Sequence, residues 1–439
     1  MRVMVWKHMS DAERAQIMGR GIGEIFSPSL KADIGRIIDD VREHGDEAVC
    51  RALRDFDRIT VAPDRLRVSP DEFARARTLV SSAVQVAIRD MIDHIRRFND
   101  QVMERKGQDW WFESEPGLHI GEKITAIHSA GLFCPSGKAS YPSVLAQIGT
   151  PAVVAGVPTC VVITPPLPGS MTGEVDAATL VVADELGLGE VFRVNGPAGV
   201  AAVAFGTETI PKVVKVVGPG SPAVTCAQIE VQRYGCSTMM LLGPTESLVL
   251  ADSTADPVRL AADLLNEAEH GTDSTSVLIT TDRALVAATQ RELSRQIAQL
   301  PDRRREAAAA SLGVNGGCIL VDSMEEGADV ANAFGSEHLQ IVTADHHATL
   351  QMIHTAGEIL LGQDTTFSMA NFIIGCPASL PTSGFASSAS GITAEAFLKR
   401  TAVAHADGSA MLRSAPSVLA LADHEGFPAH ANAMRIRLG

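Results

Sequence analysis

In the stretch ADLLNEAEHGTDS, residues 262–274, Glu267 and His270 stand three positions apart just before Gly271. Residues at that spacing share a helix face, and zinc takes imidazole nitrogen and carboxylate oxygen readily. A Glu-x-x-His pair on one helix face is a recurrent way to present metal ligands. The plainer alternative is a solvated last turn, with His270 beside the negative end of the helix dipole. Glu337 and His338 are adjacent in NAFGSEHLQIV, ahead of an apolar run. Neighbouring acid and base groups at the rim of a sheet are placed for proton transfer. A turn whose polar residues merely cap the next element is the alternative. FCPSGKASYPS (residues 133–143) and VVGPGS (residues 216–221) are Gly/Pro-rich turns. Such turns offer free amides to a phosphate or carboxylate, but neither has dinucleotide-fingerprint or Walker spacing. Near the C-terminus, DHEGFPAHANAMRIRL carries Glu425 and His430.

The elements that must position these groups can be read from local patterning. From Pro28 the pattern is helical to about Arg58, with a break at Gly45. Ser69, Pro70 and Glu72 form a capping-box start, which predicts a long helix to about Met103. Beyond Gly121 short β-branched runs end in Gly/Pro loops: ITAIHSAGLF, TCVVITPP, VFRVNGPAG and VVKVVGPGS. Helical pieces separate them. A second alternating set runs through ESLVLAD, DPVRLAADLLNEAEH, TSVLITTD and GCILVD. Alternation of strand and helix implies parallel sheets with crossovers. Residues 1–27 form a short arm expected to pack on a partner. The stretch from about Pro381 is Ala-rich and mostly helical.

Composition narrows the function classes. The 439 residues allow two or more domains, and 46% hydrophobic with 20% charged residues is globular rather than disordered. The net charge of −15, without a long basic run, argues against nucleic acid and anionic membranes. The opening residues lack a signal peptide, and the longest apolar run is cut by Gly149, Pro151, Gly156 and Pro158. Seven scattered cysteines with no CxxC pair suit buried thiols in a reducing cytoplasm.

Taken together, these stretches resemble the histidinol dehydrogenase family. The markers are GLFCPSGKASYPS, AFGTETIPKVVKVVGPGS, GPTES, EAEHGTDS, GSEHLQI, LPTSGFA, FLKRTAV and EGFPAHANAMRIRL, spread from about residue 25 to 435. The resemblance implies an α/β fold with two incomplete, duplicated Rossmann-like domains, a short N-terminal arm and a small helical C-terminal domain, in an intertwined homodimer. The expected boundaries are 1–27 for the arm, 28–128 plus 243–383 for the metal and substrate domain, 129–242 for the NAD domain, and 384–439 for a C-terminal domain that completes the partner's active site. It implies one zinc per subunit, held by Glu267, His270, Asn371 and His430. Glu337 and His338 fall on the catalytic pair: His338 takes the alcohol proton as hydride leaves, and Glu337 activates water to attack the aldehyde. Thr245, Glu425 and His338 fall on substrate-contact positions, and Phe133, Ala198 and Ser221 on NAD positions.

This sequence departs from the family pattern at telling places. Glu267 stands where the family has glutamine, and Asn371 where it has aspartate, so the total ligand charge is unchanged. Both oxygens can bind a divalent ion, carboxylate the better for zinc. Pro377 and Ala378 replace the family's Asn-His, which opens the pocket wall and argues against histidinol itself. Phe133, Ala198 and Ser221 replace tyrosine, glutamine and asparagine, which leaves NAD the expected cofactor and NADP open. The expectation is a cytoplasmic zinc- and NAD-dependent dehydrogenase that oxidises a small polar primary alcohol through the aldehyde to the carboxylate. A sulfopropanediol 3-dehydrogenase-type enzyme, a true L-histidinol dehydrogenase and a non-catalytic metabolite-binding descendant are the alternatives.

Overall fold

A computed structural model describes residues 1–20, 27–136, 140–239 and 243–439. In chain order its strands are β1 (Val3–Val5), β2 (Trp110–Glu115), β3 (Leu118–Ala126), β4 (Ser129–Phe133), β5 (Thr159–Thr164), β6 (Val191–Arg193), β7 (Lys215–Val217), β8 (Glu246–Ala251), β9 (Thr275–Thr280), β10 (Gly317–Leu320), β11 (His338–Val342), β12 (Glu358–Leu361) and β13 (Leu398–Ala406). They form a six-stranded sheet in the order β1-β10-β9-β8-β11-β12, a four-stranded sheet β6-β5-β4-β7 and a three-stranded sheet β13-β3-β2. The first two sheets are parallel throughout, as alternating strands and helices require. The third is antiparallel. No helix among the described residues is long and apolar enough to cross a membrane.

Parallel sheets need cover on both faces, and this requirement redraws the expected boundaries. The segment 28–128 was expected to join residues 243–383. Its helices instead cover the four-stranded sheet. Ile34, Ile38 and Val49 of the helix Pro28–Ala52 share a core with Val161, Ile163 and Val203. Ile88, Ile92 and Ile95 of the helix Ser82–Lys106 pack with Leu132, Leu145 and Val162 on the other face. The N-terminal arm likewise serves its own chain: β1 pairs with β10, and Ile17 joins the core of the six-stranded sheet. The C-terminal stretch is not all helical either. After two short 3-10 turns, Phe385–Ser387 and Ala394–Phe397, it contains β13, nine residues paired to β3, before the helices Gly408–His424 and Pro428–Arg435.

Local signals explain the helices' ends. The Ser69–Glu72 box forms, with Ser69 N–H donating to Glu72 Oε2 at 2.9 Å. The predicted long helix is two, Pro70–Leu79 and Ser82–Lys106, because Ser81 caps a new start. Gly45 breaks the Pro28–Ala52 helix with φ 52°, and a Cβ there would lie 2.3 Å from the Glu208 carboxylate. That carboxylate accepts from the Asp46 amide freed by the break, at 2.8 Å. All seven cysteines are free thiols.

Candidate active site

The catalytic candidates gather at the N-terminal edge of the six-stranded sheet. Glu246 opens β8, His338 opens β11 and Glu358 opens β12; the register sets His338 beside Ser247 on one side and Glu358 on the other. Helix Pro257–Ala268 comes after β8, and as a parallel crossover it runs back to the edge where β8 began. Its C-terminal turn therefore delivers Glu267 and His270 to the same rim, together with the negative end of its dipole.

Glu267 is 1% exposed. A buried carboxylate costs several kcal/mol unless it is paired, and the structure supplies partners. Asn371 Nδ2 donates to Glu267 Oε1 at 2.7 Å, Asn266 Nδ2 does so at 2.8 Å, and His270 Nε2 lies 3.2 Å from Oε2. Asn371 comes from the short helix Phe367–Phe372. Three of the four predicted metal donors thus converge from two elements distant in sequence. A carboxylate oxygen, an imidazole nitrogen and an amide oxygen (exposed by turning the Asn371 amide over) suit a borderline divalent ion such as zinc. The donor set fits the metal with one position still to fill. Among the described residues no group of three His, Cys, Asp or Glu side chains forms a metal cluster, since the third donor here is an amide.

The fourth predicted donor is elsewhere. His430 is exposed on the helix Pro428–Arg435, where its ring packs on Phe427 with centroids 5.1 Å apart. Glu425, at the end of the helix Gly408–His424, is also exposed. Within one chain neither forms a hydrogen bond or ion pair with Glu267, His270 or His338. Thr245 is half-buried and immediately precedes β8, at the rim beside Glu337.

Glu337 and His338 are buried, 8% and 2% exposed. Glu337 Oε2 accepts from the Glu246 amide at 2.9 Å, and its Oε1 lies 3.9 Å from His338 Nε2. Burial pushes the Glu337 carboxyl up to about 8. The Glu267 and Glu246 carboxylates add to that push, and His338 only partly offsets it. Burial by itself disfavours the His338 imidazolium, but Glu358, Glu337 and Glu267 together overcome it and raise the group to about 9. A divalent cation beside Glu267 would draw both groups down.

Two supporting residues carried no sequence motif. Arg20 Nε donates to Glu246 Oε1 at 2.8 Å, its Nη2 donates to the Phe334 carbonyl at 2.7 Å, and its guanidinium sits 3.6 Å over the Phe334 ring. This buried pair fixes the strand start whose amide holds Glu337. The other is Glu358, bonded to His338. Its only sequence signal was a carboxylate opening the apolar run EILL.

The NAD candidates lie at the C-terminal edge of the four-stranded sheet. Chain order sends β5 and β6 to one side of β4 and β7 to the other, so a crevice opens between β4 and β7 where that edge ends. Helices Pro142–Val154, Gly196–Phe205 and Pro222–Val231 begin there, and none has a side-chain cap. A proline removes one N–H from each first turn, and the amides that remain there have no side-chain acceptor and suit an anion. Phe133 and Ala198 are buried in the core, at 2% and 0% exposure, and only Ser221 is exposed. The Phe133 ring lies under Gly196 and Gly220, where added Cβ atoms would come within 3.5 and 3.1 Å of it. Phe133 and Ala198 thus shape the floor, and backbone amides and Ser221 face outward. Residues 137–139 of FCPSGKASYPS lie outside the described residues.

Known proteins share this sequence and fold. A profile described as histidinol dehydrogenase matches residues 24–438. A histidinol dehydrogenase homolog from Colwellia psychrerythraea is 39% identical over 402 residues, 91% of this chain and 88% of that one. A histidinol dehydrogenase from Synechocystis sp. is 37% identical over 446 residues, 99% of each chain. The crystal structure of histidinol dehydrogenase from Elizabethkingia anophelis superposes with a TM-score of 0.93 at 29% identity, covering 100% of this chain and 98% of that one. On the strength of the profile, the full-length relatives and the shared fold, the chain belongs to the histidinol dehydrogenase family of NAD- and zinc-dependent oxidoreductases.

Proposed function

We propose that this protein oxidises a small polar primary alcohol through the aldehyde to the carboxylate, using two NAD and one zinc per subunit. The observation that carries the reading is the buried Glu337–His338 pair beside the Glu267, His270 and Asn371 donors. His338 accepts the alcohol proton at Nε2 as hydride passes from carbon to the nicotinamide. Glu337, in its ionised form, then takes a proton from water as that water adds to the aldehyde, and a second hydride leaves. Zinc, when bound, polarises the substrate oxygen. Glu267, His270 and Asn371 would hold it.

The fourth donor supports a homodimer with shared sites. His430 and Glu425 are exposed and stand apart from the site of their own chain. Apolar side chains are exposed nearby in the C-terminal helices, Leu421, Phe427 and Ile436, and elsewhere on β2, Trp110, Trp111 and Phe112. Burial of such a surface against a second copy is favourable, and would bring the partner's C-terminal helices toward the donor rim. Thr245 and the partner copy's C-terminal helices would then flank the substrate.

The substrate is a different alcohol from histidinol, because Pro377 and Ala378 remove the imidazole and amide of the family's pocket wall. A sulfonated propanediol is one candidate of the right class. The second reading, histidinol oxidation, is favoured by the names of the full-length relatives. Zinc-loaded protein incubated with NAD and a panel of amino alcohols, diols, sulfonated diols and L-histidinol separates them. The expected result is NADH from a diol-type substrate, two per alcohol, with little from histidinol. Histidinol turnover above all others overturns the substrate assignment, and no NADH from any of them overturns the reaction.

A further inference from the structure

His338 and Glu358 are direct partners in the parallel register of β11 and β12. In-register neighbours project to the same sheet face, so imidazole and carboxylate meet: His338 Nδ1 lies 2.9 Å from Glu358 Oε2. Their side chains are 2% and 5% exposed. Glu358 Oε1 is buried with no hydrogen-bond partner among the described residues. Among the described residues His338 is therefore the carboxylate's single side-chain hydrogen-bond partner. Phe367, fully buried, meets the imidazole edge to face with centroids 5.8 Å apart. The ring is clamped so that Nδ1 faces Glu358 and Nε2 faces Glu337.

We propose that Glu358 is a positioning residue for His338: by accepting the Nδ1 proton it leaves the Nε2 lone pair free toward the substrate and holds the positive charge that arrives there. The inference rests on the reading of His338 as the base. An acceptor at one ring nitrogen selects the tautomer in which the other is basic. In the alcohol step the O–H proton passes to Nε2, hydride passes from carbon to NAD, and the C–O bond becomes C=O. The Glu358 carboxylate faces the imidazolium that forms and stabilises it. A carboxylate in an apolar strand, with one oxygen left unpaired, is a poor stability device on its own.

The charged and titratable groups that surround this pair are Glu337 and Glu267 facing His338, Glu246 behind Glu337, and Cys376 near Glu358. None of them hydrogen-bonds Nδ1. Removal of the Glu358 charge lowers the proton affinity of His338, so the ring stays neutral to lower pH but drives proton abstraction less strongly.

The test is E358Q, which keeps the side-chain shape, with E358D as the charge-retaining control. Histidine-labelled full-length protein is tracked by NMR with and without zinc, the His338 resonances being those lost in H338Q. In E358Q the His338 titration moves to lower pH and its Nδ1–H tautomer is depleted, whereas E358D retains part of both. On a substrate that turns over, kcat falls on the order of 10- to 100-fold, KM changes little, and the alkaline-rising limb of the kcat profile shifts to lower pH. An unchanged His338 titration in E358Q overturns the inference, because a merely structural carboxylate would leave it in place. A shifted titration in a protein that reduces no NAD with any alcohol upholds the positioning and overturns the reaction.

Discussion

The two parallel sheets use opposite edges. The four-stranded sheet presents its crevice at the C-terminal ends of its strands, the usual place for a ligand in an open α/β sheet. The six-stranded sheet also has a switch point, between β8 and β11, yet its candidate acid, base and metal donors collect at the N-terminal ends. The helices account for the difference. At a C-terminal strand edge helices begin, and their uncapped amides favour an anion such as a pyrophosphate. At an N-terminal strand edge helices end, and the carbonyl pole of the helix carrying Glu267 favours a cation or an imidazolium. One edge binds through backbone and the other through charged side chains. Substitution of side chains should therefore damage chemistry at the six-stranded rim and mainly conformation at the four-stranded crevice.

The largest expected effect tests the charged rim. His338→Ala should lower turnover by about 10²- to 10⁴-fold, while metal analysis by mass spectrometry still finds zinc. Near-normal turnover in that variant would leave the base unassigned and dissolve the contrast between the edges. Next comes the exchanged ligand pair. Glu267→Gln alone removes the one negative charge of the donor set and should weaken zinc on the order of 100-fold in competition with a chelator. Adding Asn371→Asp returns the charge and should recover most of that affinity. A double variant no better than the single would mean that position, and not total charge, holds the ion. The smallest effect belongs to the crevice. Gly218 has φ +132°, and a Cβ there would lie 2.1 Å from the Phe133 carbonyl oxygen. Gly218→Ala should cost about 1–3 kcal/mol in urea denaturation and weaken NAD binding in fluorescence titration, with zinc content unchanged. Loss of zinc instead would show that the two edges are not independent.

Much of this was legible along the chain. The strands, the crossover helices, the Gly45 break, the Ser69 cap and the Glu267–His270 pair all depend on neighbours within a few residues, where periodicity and capping chemistry act. The misplacement of residues 28–106 had a different origin. An amphipathic helix states that it must bury one face, not which sheet will cover it, and two sheets were available. Glu358 was missed for a related reason. Its partner is 20 residues away, on a neighbouring strand, and only register brings them into contact.

By itself the sequence determined the family, the alternation that makes both sheets parallel, and which residue types could hold a metal or move a proton. The tertiary structure decided which strand edge each candidate site uses, that three of the expected metal donors meet while His430 stands apart, and that His338 is clamped between Glu358 and Phe367. Local propensity and spacing act over a few residues, whereas strand register, helix direction and burial are properties of the assembled sheet. Those assembled properties give the buried rim charges their altered proton affinities.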